Sequence, residues 1–296
     1  MALEKRPLGS TGHEVTALGF GSMELRGTPH RRPRPIPVDV ARATLEAVLD
    51  VGITFIDTSI DYGSSEELIG RFLGTRRDEY VLASKAGCPL DHQPDGPTEG
   101  SLEHDYSPAN IRAGVEQSLR RLGTDRLDLV QLHISPSLET IRANDAVGTL
   151  EALRDEGKLT SIGISSTLPN LTDHLASGLF ESFQVPYSAL DRRHEGYLPR
   201  IVAAGAGLIV RGGVAQGITD DELWRLANLD DLLDGDSPQE FLLRFVISNR
   251  AVSTVIVGTA SPEHVRSNAR AAERGPLPAG TVREAIDRLN KQGQPA

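Results

Sequence analysis

Eight times along the chain a short run of apolar, often β-branched residues is followed by a longer stretch with helical apolar spacing. No other feature narrows the fold as much. The runs are Val15–Phe20, Thr54–Asp57, Tyr80–Ser84, Leu127–Leu132, Ser161–Ile164, Ser182–Val185, Leu208–Val210 and Thr254–Val257. The stretches between and after them are Val40–Val51, Glu66–Leu73, Pro108–Leu122, Ala146–Glu156, Leu171–Ala176, Leu198–Ala204, Pro238–Ser248 and Pro262–Ala272. Gly52, Gly123 and Gly157 stop three of them, as C-capping glycines do. Pro108 opens one at its first turn, where the missing N–H is harmless, and Ile111, Val115, Leu119 and Leu122 mark that helix's buried face. Strands this continuously apolar are buried on both faces, which predicts a parallel sheet. Eight β-then-α units predict a closed (β/α)8 TIM barrel rather than an open doubly wound sheet. The length of 296 residues fits one barrel domain over residues 1–296, because such barrels take about 250 residues.

Composition removes several functional classes. The formal net charge is −10 and no basic stripe is present, since prolines interrupt the one run of arginines at 31–34. Nucleic-acid binding, which rests on phosphate neutralisation, is therefore not expected. The single cysteine, Cys88, excludes an internal disulfide and a cysteine-based zinc site, and no metal is expected. No apolar run approaches the roughly 20 residues of a membrane span, and the N-terminus is charged within six residues, unlike a secretory signal. A cytoplasmic protein with no membrane partner is the expectation. Oligomeric state is left open.

Four residues with chemical potential fall at or just beyond strand ends: Asp57, Tyr62, Lys85 and His133. In a barrel these ends share the C-terminal face, where active sites are built. Each also has an ordinary reading: a turn carboxylate, a tyrosine covering apolar surface, a solvated lysine, a hydrogen-bonded structural histidine. Their joint placement favours a site. Three irregular stretches, 27–37, 88–106 and 212–235, would lie on that face too. The stretch 88–106 is the candidate substrate lid or wall, against the alternative of a surface insertion.

The chain closely resembles the aldo-keto reductase family over nearly its whole length. The opening Leu8–Gly12, Val15 and Leu18–Gly21 resembles that family's N-terminal hairpin and first strand. Gly52–Glu66 matches its most specific motif, and Arg120–Asp125 with Leu127–His133, Gly157–Lys158 with Ile162–Ser166, and Val252–Thr259 are further matches in order. The resemblance implies a catalytic tetrad of Asp57, Tyr62, Lys85 and His133. Tyr62 would donate a proton to a carbonyl oxygen as hydride arrives, and serve as base in reverse. Lys85 would lower the phenol's pKa from near 10, held in turn by Asp57, and His133 would orient the carbonyl. A small-molecule carbonyl or alcohol substrate follows.

Gly19–Gly21 lacks the remainder of a Rossmann fingerprint, so a nicotinamide cofactor would use barrel loops. By resemblance Ser165 and Gln184 hold its carboxamide, with Ser166 where the family usually has Asn, and Tyr187 stacks on its ring. The pyrophosphate would lie near 211–217, including Gly213. Arg211 is unusual there and could meet phosphate, a charged substrate or a neighbouring acid. Gly258, Thr259, Ser261, His264 and Asn268 match the adenosine-binding segment. The resemblance favours NADP(H). Gly258 and His264 stand where many NADPH-specific relatives carry Lys and Arg, which weakens that preference and keeps NAD(H) open. Arg266 is the candidate to compensate, although its helix position usually means a different face. Substrate candidates are Met23, Leu25, Asp91, His92, His104 and Tyr106. His92 and His104 lack metal-ligand spacing and read as solvated, and Trp224 reads as core. The helix at 262–272 is taken as the last, with no long C-terminal substrate loop. Two other readings remain: internal redox epimerisation or elimination, and a non-catalytic redox-sensing or partner-binding subunit.

Overall fold

The computed structural model describes residues 2–27, 33–90, 103–214 and 222–293. Strands β1 (Lys5–Pro7) and β2 (Glu14–Thr16) form an antiparallel pair with Arg6 opposite Val15. Eight strands then close a parallel barrel: β3 (Leu18–Gly21), β4 (Phe55–Asp57), β5 (Val81–Ala86), β6 (Leu127–Leu132), β7 (Leu159–Ser165), β8 (Ser182–Pro186), β9 (Gly207–Arg211) and β10 (Thr254–Gly258). They pair in chain order, and β10 pairs with both β9 and β3 to complete the ring. The expected fold is therefore present, with helices between the strands and a short N-terminal hairpin.

One expected strand is divided. The run 15–20 changes sheets at Ala17, whose N–H bonds Glu4 in the hairpin while Leu18 begins the barrel. Thr16 fixes the corner by donating its hydroxyl to the Leu18 carbonyl at 2.7 Å. Continuous apolar character does not reveal such a change of partner, because both segments bury the same kind of side chain.

The core has two parts. The larger fills the layer between strands and helices. The smaller lies within the ring and joins Leu8 and Val15 of the hairpin region to Phe55, Ala83, Leu129 and Ile209, all without solvent exposure. The hairpin thus floors the barrel. Side chains two positions further along a strand share its face. Above that apolar floor the same interior faces therefore carry Asp57 on β4, Lys85 on β5, Gln131 on β6 and Arg211 on β9. The floor demands close backbone approach: a Cβ on Gly9, at φ +54°, would lie 2.1 Å from the Gly207 nitrogen.

Three helices add to the sequence reading. Leu138–Ala143 is capped by the Ser137 hydroxyl, which accepts from the Thr140 N–H. Glu222–Leu226 carries the buried Trp224, edge-on to Phe241 and donating from Nε1 to Asp230 at 3.0 Å. Ala279–Lys291 follows the helix that was expected to be last and buries Ala285 and Leu289. Its spacing of Val282, Ala285, Ile286 and Leu289 is a helical signal that the reading passed over. No helix among the described residues is long and apolar enough to cross a membrane.

Candidate active site

The centre of the site is one carboxylate oxygen. Asp57 Oδ1 accepts from Lys85 Nζ at 2.5 Å and from the side-chain amides of Gln131 and Gln184, both at 2.9 Å. Lys85 also donates to the Thr58 carbonyl at 3.1 Å. All four side chains are buried. An unpaired charge at that depth would be costly, and pairing with added amide donors makes the ion pair tolerable. Strand register makes the convergence local: Asp57 neighbours Ala83 and Lys85 neighbours Gln131.

Tyr62 lies in the loop after β4, partly accessible, with its ring 6.3 Å from that of His133 in an edge arrangement. Burial pushes its phenol well above the ordinary tyrosine value, and the charges of Asp57, Asp61 and Cys88 add to the rise. The opposing cation is Arg211. The sequence reading had Lys85, held by Asp57, lower this pKa. The Asp57–Lys85 contact is present, but burial dominates and raises the pKa, and the main opposing charge comes from Arg211.

His133, just beyond β6, is pushed down to about 3, first by burial and further by Lys85, His104 and Arg211, while Asp61 opposes. It is a neutral imidazole at physiological pH. Its Nδ1 lies 3.1 Å from Cys88 Sγ and 3.4 Å from His104 Nε2. Its Nε2 makes no hydrogen bond among the described residues and is the nitrogen left to meet a substrate. Tyr106 holds the histidine from behind, donating its hydroxyl to the His133 carbonyl at 2.5 Å. His104, read from the sequence as solvated, instead packs on this ring at 5.3 Å between centroids.

The other sequence-derived residues surround this centre unevenly. Ser165 and Gln184 are direct partners across β7 and β8. The Ser165 hydroxyl and Gln184 Oε1 make no hydrogen bond among the described residues. One hydroxyl and one carbonyl oxygen are the complement a primary carboxamide needs. Ser166 differs: its buried hydroxyl lies 2.8 Å from His174 Nδ1, and His174 Nε2 lies 2.7 Å from the Pro136 carbonyl. That carbonyl can only accept, so Nε2 carries the proton and Ser166 donates to Nδ1, leaving it committed away from the barrel mouth. Tyr187 is buried against Phe245 and donates its hydroxyl to Glu195 at 2.9 Å. Arg211 ends β9 opposite Pro186, and its guanidinium feels Tyr62, Asp191 and Asp57 while burial lowers its pKa. Gly213 is buried where a Cβ would meet Val255 at 2.5 Å, so the backbone passes close to β10.

At the last strand, Gly258 is exposed beside the Gly21 carbonyl. Thr259 Oγ1 accepts from the Ser261 N–H and lies 3.3 Å from His264 Nδ1. Ser261 caps the helix Pro262–Glu273, accepting from the His264 N–H and donating to Glu263 at 2.9 Å. Asn268 borders a small recess with Leu18, Phe20, Val257 and Val265. Met23 is exposed and Leu25 buried. Asp91 and His92, most of the expected lid at 88–106, and residues 215–217 of the pyrophosphate stretch lie outside the described residues.

Sequence reasoning missed Gln131 and Asp61. Gln131 was available from its position two residues before His133 on a strand of alternating faces. Asp61 had only its adjacency to Tyr62.

The family model described as the aldo/keto reductase family matches residues 17–231. The chain belongs to the aldo/keto reductase family. D-threo-aldose 1-dehydrogenase of a Pseudomonas species is 31% identical over 94% of this chain and 95% of that protein. The NADH-specific methylglyoxal reductase of Escherichia coli is 26% identical over 91% and 93%. An aldo-keto reductase from Bacillus halodurans in its holo form is 31% identical, with a TM-score of 0.83 over 97% of this chain and 96% of that one. Family membership brings nicotinamide-dependent oxidoreductase chemistry on small molecules to this barrel.

Proposed function

We propose that this aldo/keto reductase family member reversibly reduces the carbonyl of a small aldehyde, ketone or sugar-like substrate, with Tyr62 as proton donor. The observation that carries the reading is the joint presence of Tyr62, neutral His133 and the sealed Asp57–Lys85 pair at the C-terminal ends of successive strands. A bound reduced nicotinamide supplies the hydride. Ser165 Oγ and Gln184 Oε1 hold its carboxamide. His133 donates from Nε2 to the carbonyl oxygen and polarises it. Tyr62 donates to the same oxygen and transfers its proton as negative charge develops there. Its raised pKa keeps the phenol protonated at neutral pH, which suits reduction. Arg211 is the cation assigned to stabilise the phenolate that remains, since its charge opposes the rise of the phenol's pKa.

For the cofactor we read a nicotinamide dinucleotide with no strict need for a 2′-phosphate. The helix start at Ser261 already carries the Glu263 carboxylate, and the charge of Arg266 falls on Glu263. Gly258 adds no cation.

Replacing Tyr62 by Phe tests the assignment. Reductase turnover is expected to fall by about 10²–10⁴, the range for a lost general acid, with nicotinamide affinity by fluorescence titration within twofold of the parent. Unchanged turnover would overturn it.

A further inference from the structure

We propose that Asp61, Cys88, His104 and His133 form a binding site for one divalent cation of the zinc class. The four residues come from three different loops, after β4, β5 and β6, so their spacing along the chain carries no metal pattern, and the expectation of no metal, drawn from the lone cysteine, did not weigh one sulfur joined by two imidazoles and a carboxylate. In space each offers a ligand atom, and all four atoms lie within 4.8 Å of one another. Cys88 Sγ and His133 Nδ1 are 3.1 Å apart, His104 Nε2 and His133 Nδ1 3.4 Å, and His133 Nδ1 and Asp61 Oδ1 3.9 Å. Zinc bonds of 2.0–2.3 Å in a tetrahedron place neighbouring ligand atoms about 3.3–3.8 Å apart. The observed separations bracket that range, and small side-chain rotations bring the atoms onto one centre.

The donor chemistry selects the ion. One sulfur, two imidazoles and one carboxylate suit a borderline-soft cation, whereas magnesium and calcium prefer oxygen throughout. Binding would release the Cys88 proton to solvent and place two negative ligands and two neutral ones on a doubly positive ion, leaving the site uncharged.

Supporting contacts orient the ligands as outer shells of metal sites do. The Ser59 hydroxyl donates to Asp61 Oδ1 at 2.5 Å and lies 3.5 Å from Cys88 Sγ. Asn110 Nδ2 donates to the Cys88 carbonyl at 3.0 Å. The Tyr106 ring stacks on His104 at 6.1 Å and 28°, and its hydroxyl holds the His133 backbone. A cation on Nδ1 of His133 would leave the proton on Nε2, the tautomer that the reductase reading uses.

Titrating the full-length protein with Co²⁺ decides the proposal. One equivalent should produce a near-ultraviolet thiolate-to-cobalt charge-transfer band with the intense visible bands of a four-coordinate ion, and Zn²⁺ should abolish both. Cys88→Ser should lose the charge-transfer band. His104→Ala, at a half-buried position, should bind Co²⁺ at least about tenfold more weakly, with parental circular dichroism showing that the fold is kept. A pale six-coordinate spectrum, or spectra and affinities unchanged in the two variants, would overturn the site. No turnover is measured, so a failure here leaves the reductase reading untouched, and the Tyr62→Phe result leaves the metal site untouched.

Discussion

The ammonium of Lys85 lies 2.5 Å from Oδ1 of Asp57, and neither side chain exceeds 2% exposure. That oxygen also accepts from Gln131 and Gln184, so three donors from three strands meet on one atom. Removing one charge strands the other. Lys85→Met is expected to destabilise the fold by about 3–5 kcal/mol, the usual cost of breaking a buried pair from one side. Asp57→Leu should cost a similar amount. The double variant should recover at least about 1 kcal/mol relative to the sum, because no buried charge remains. Its recovery is incomplete, since both glutamine amides lose their acceptor. Denaturant unfolding of the four proteins measures the coupling, and strictly additive losses would contradict it.

Arg211 is the cation that opposes the rise of the Tyr62 phenol. Reduction draws on the protonated phenol and oxidation on the phenolate. A raised pKa therefore leaves reduction nearly flat through neutral pH and drives oxidation faster as pH rises. In Arg211→Met the phenolate loses its favourable charge, the phenol moves further up, and the alkaline limb of the oxidation profile shifts to higher pH. Neither profile should show an inflexion near 6.5 from His133, which stays neutral down to about 3. Profiles of kcat/KM in both directions check this, and an alkaline limb that moved down or stayed put would refute the role given to Arg211.

What could be read in advance divides along physical lines. The barrel was legible because buried parallel strands advertise themselves as apolar runs, and because alternation on β4, β5 and β6 sends Asp57, Lys85 and the residues ending at His133 inward. The partner of the Tyr62 phenol was not. Resemblance pairs Lys85 with Asp57, as observed, but nothing in sequence order shows that Arg211, at the end of β9, supplies the charge that opposes the phenol's rise. His104 was unreadable for a related reason: it returns to His133 from the far end of a long loop, and no local spacing records that return. Ser166 fails differently. Its neighbour His174 lies eight residues on, inside a helix, and takes the hydroxyl that resemblance would offer to a cofactor.

The start of the helix Pro262–Glu273 bears on cofactor choice. Its amide dipole favours an anion, but Glu263 already lies there, accepting from the Ser261 hydroxyl. A 2′-phosphate would meet a like charge on arrival, while the 2′-hydroxyl of NADH would not. The chain should therefore discriminate between NADH and NADPH by less than about tenfold, since no fixed ion pair separates them. Glu263→Gln should lower KM for NADPH and leave KM for NADH within twofold. Steady-state kinetics with both cofactors checks the prediction. An unchanged NADPH value in the variant would show that Glu263 does not face the phosphate.

The barrel floor makes a separate prediction about stability. Gly207 opens β9 directly above the hairpin region, and a Cβ there would lie 2.7 Å from Leu8 Cδ1 and 2.8 Å from the Leu8 backbone carbon. The side-chain contact could relax by a rotamer change, but the backbone contact cannot. Leu8 is itself fully buried in the interior cluster with Phe55, Ala83, Leu129 and Ile209, so it has nowhere to retreat. Gly207→Ala should therefore destabilise by about 1–3 kcal/mol through overpacking. Leu8→Ala removes volume from the same place and should cost about 2–5 kcal/mol through the cavity it leaves. Combined, the two substitutions should cost less than their sum, because the smaller residue 8 vacates part of the space that the new methyl needs. The residual loss comes from the backbone contact. Unfolding free energies of the three variants measure this, and additive losses would mean that the floor relaxes independently at the two positions. Turnover per folded molecule should stay near the parent value throughout, because the floor lies at the end of the barrel opposite Tyr62.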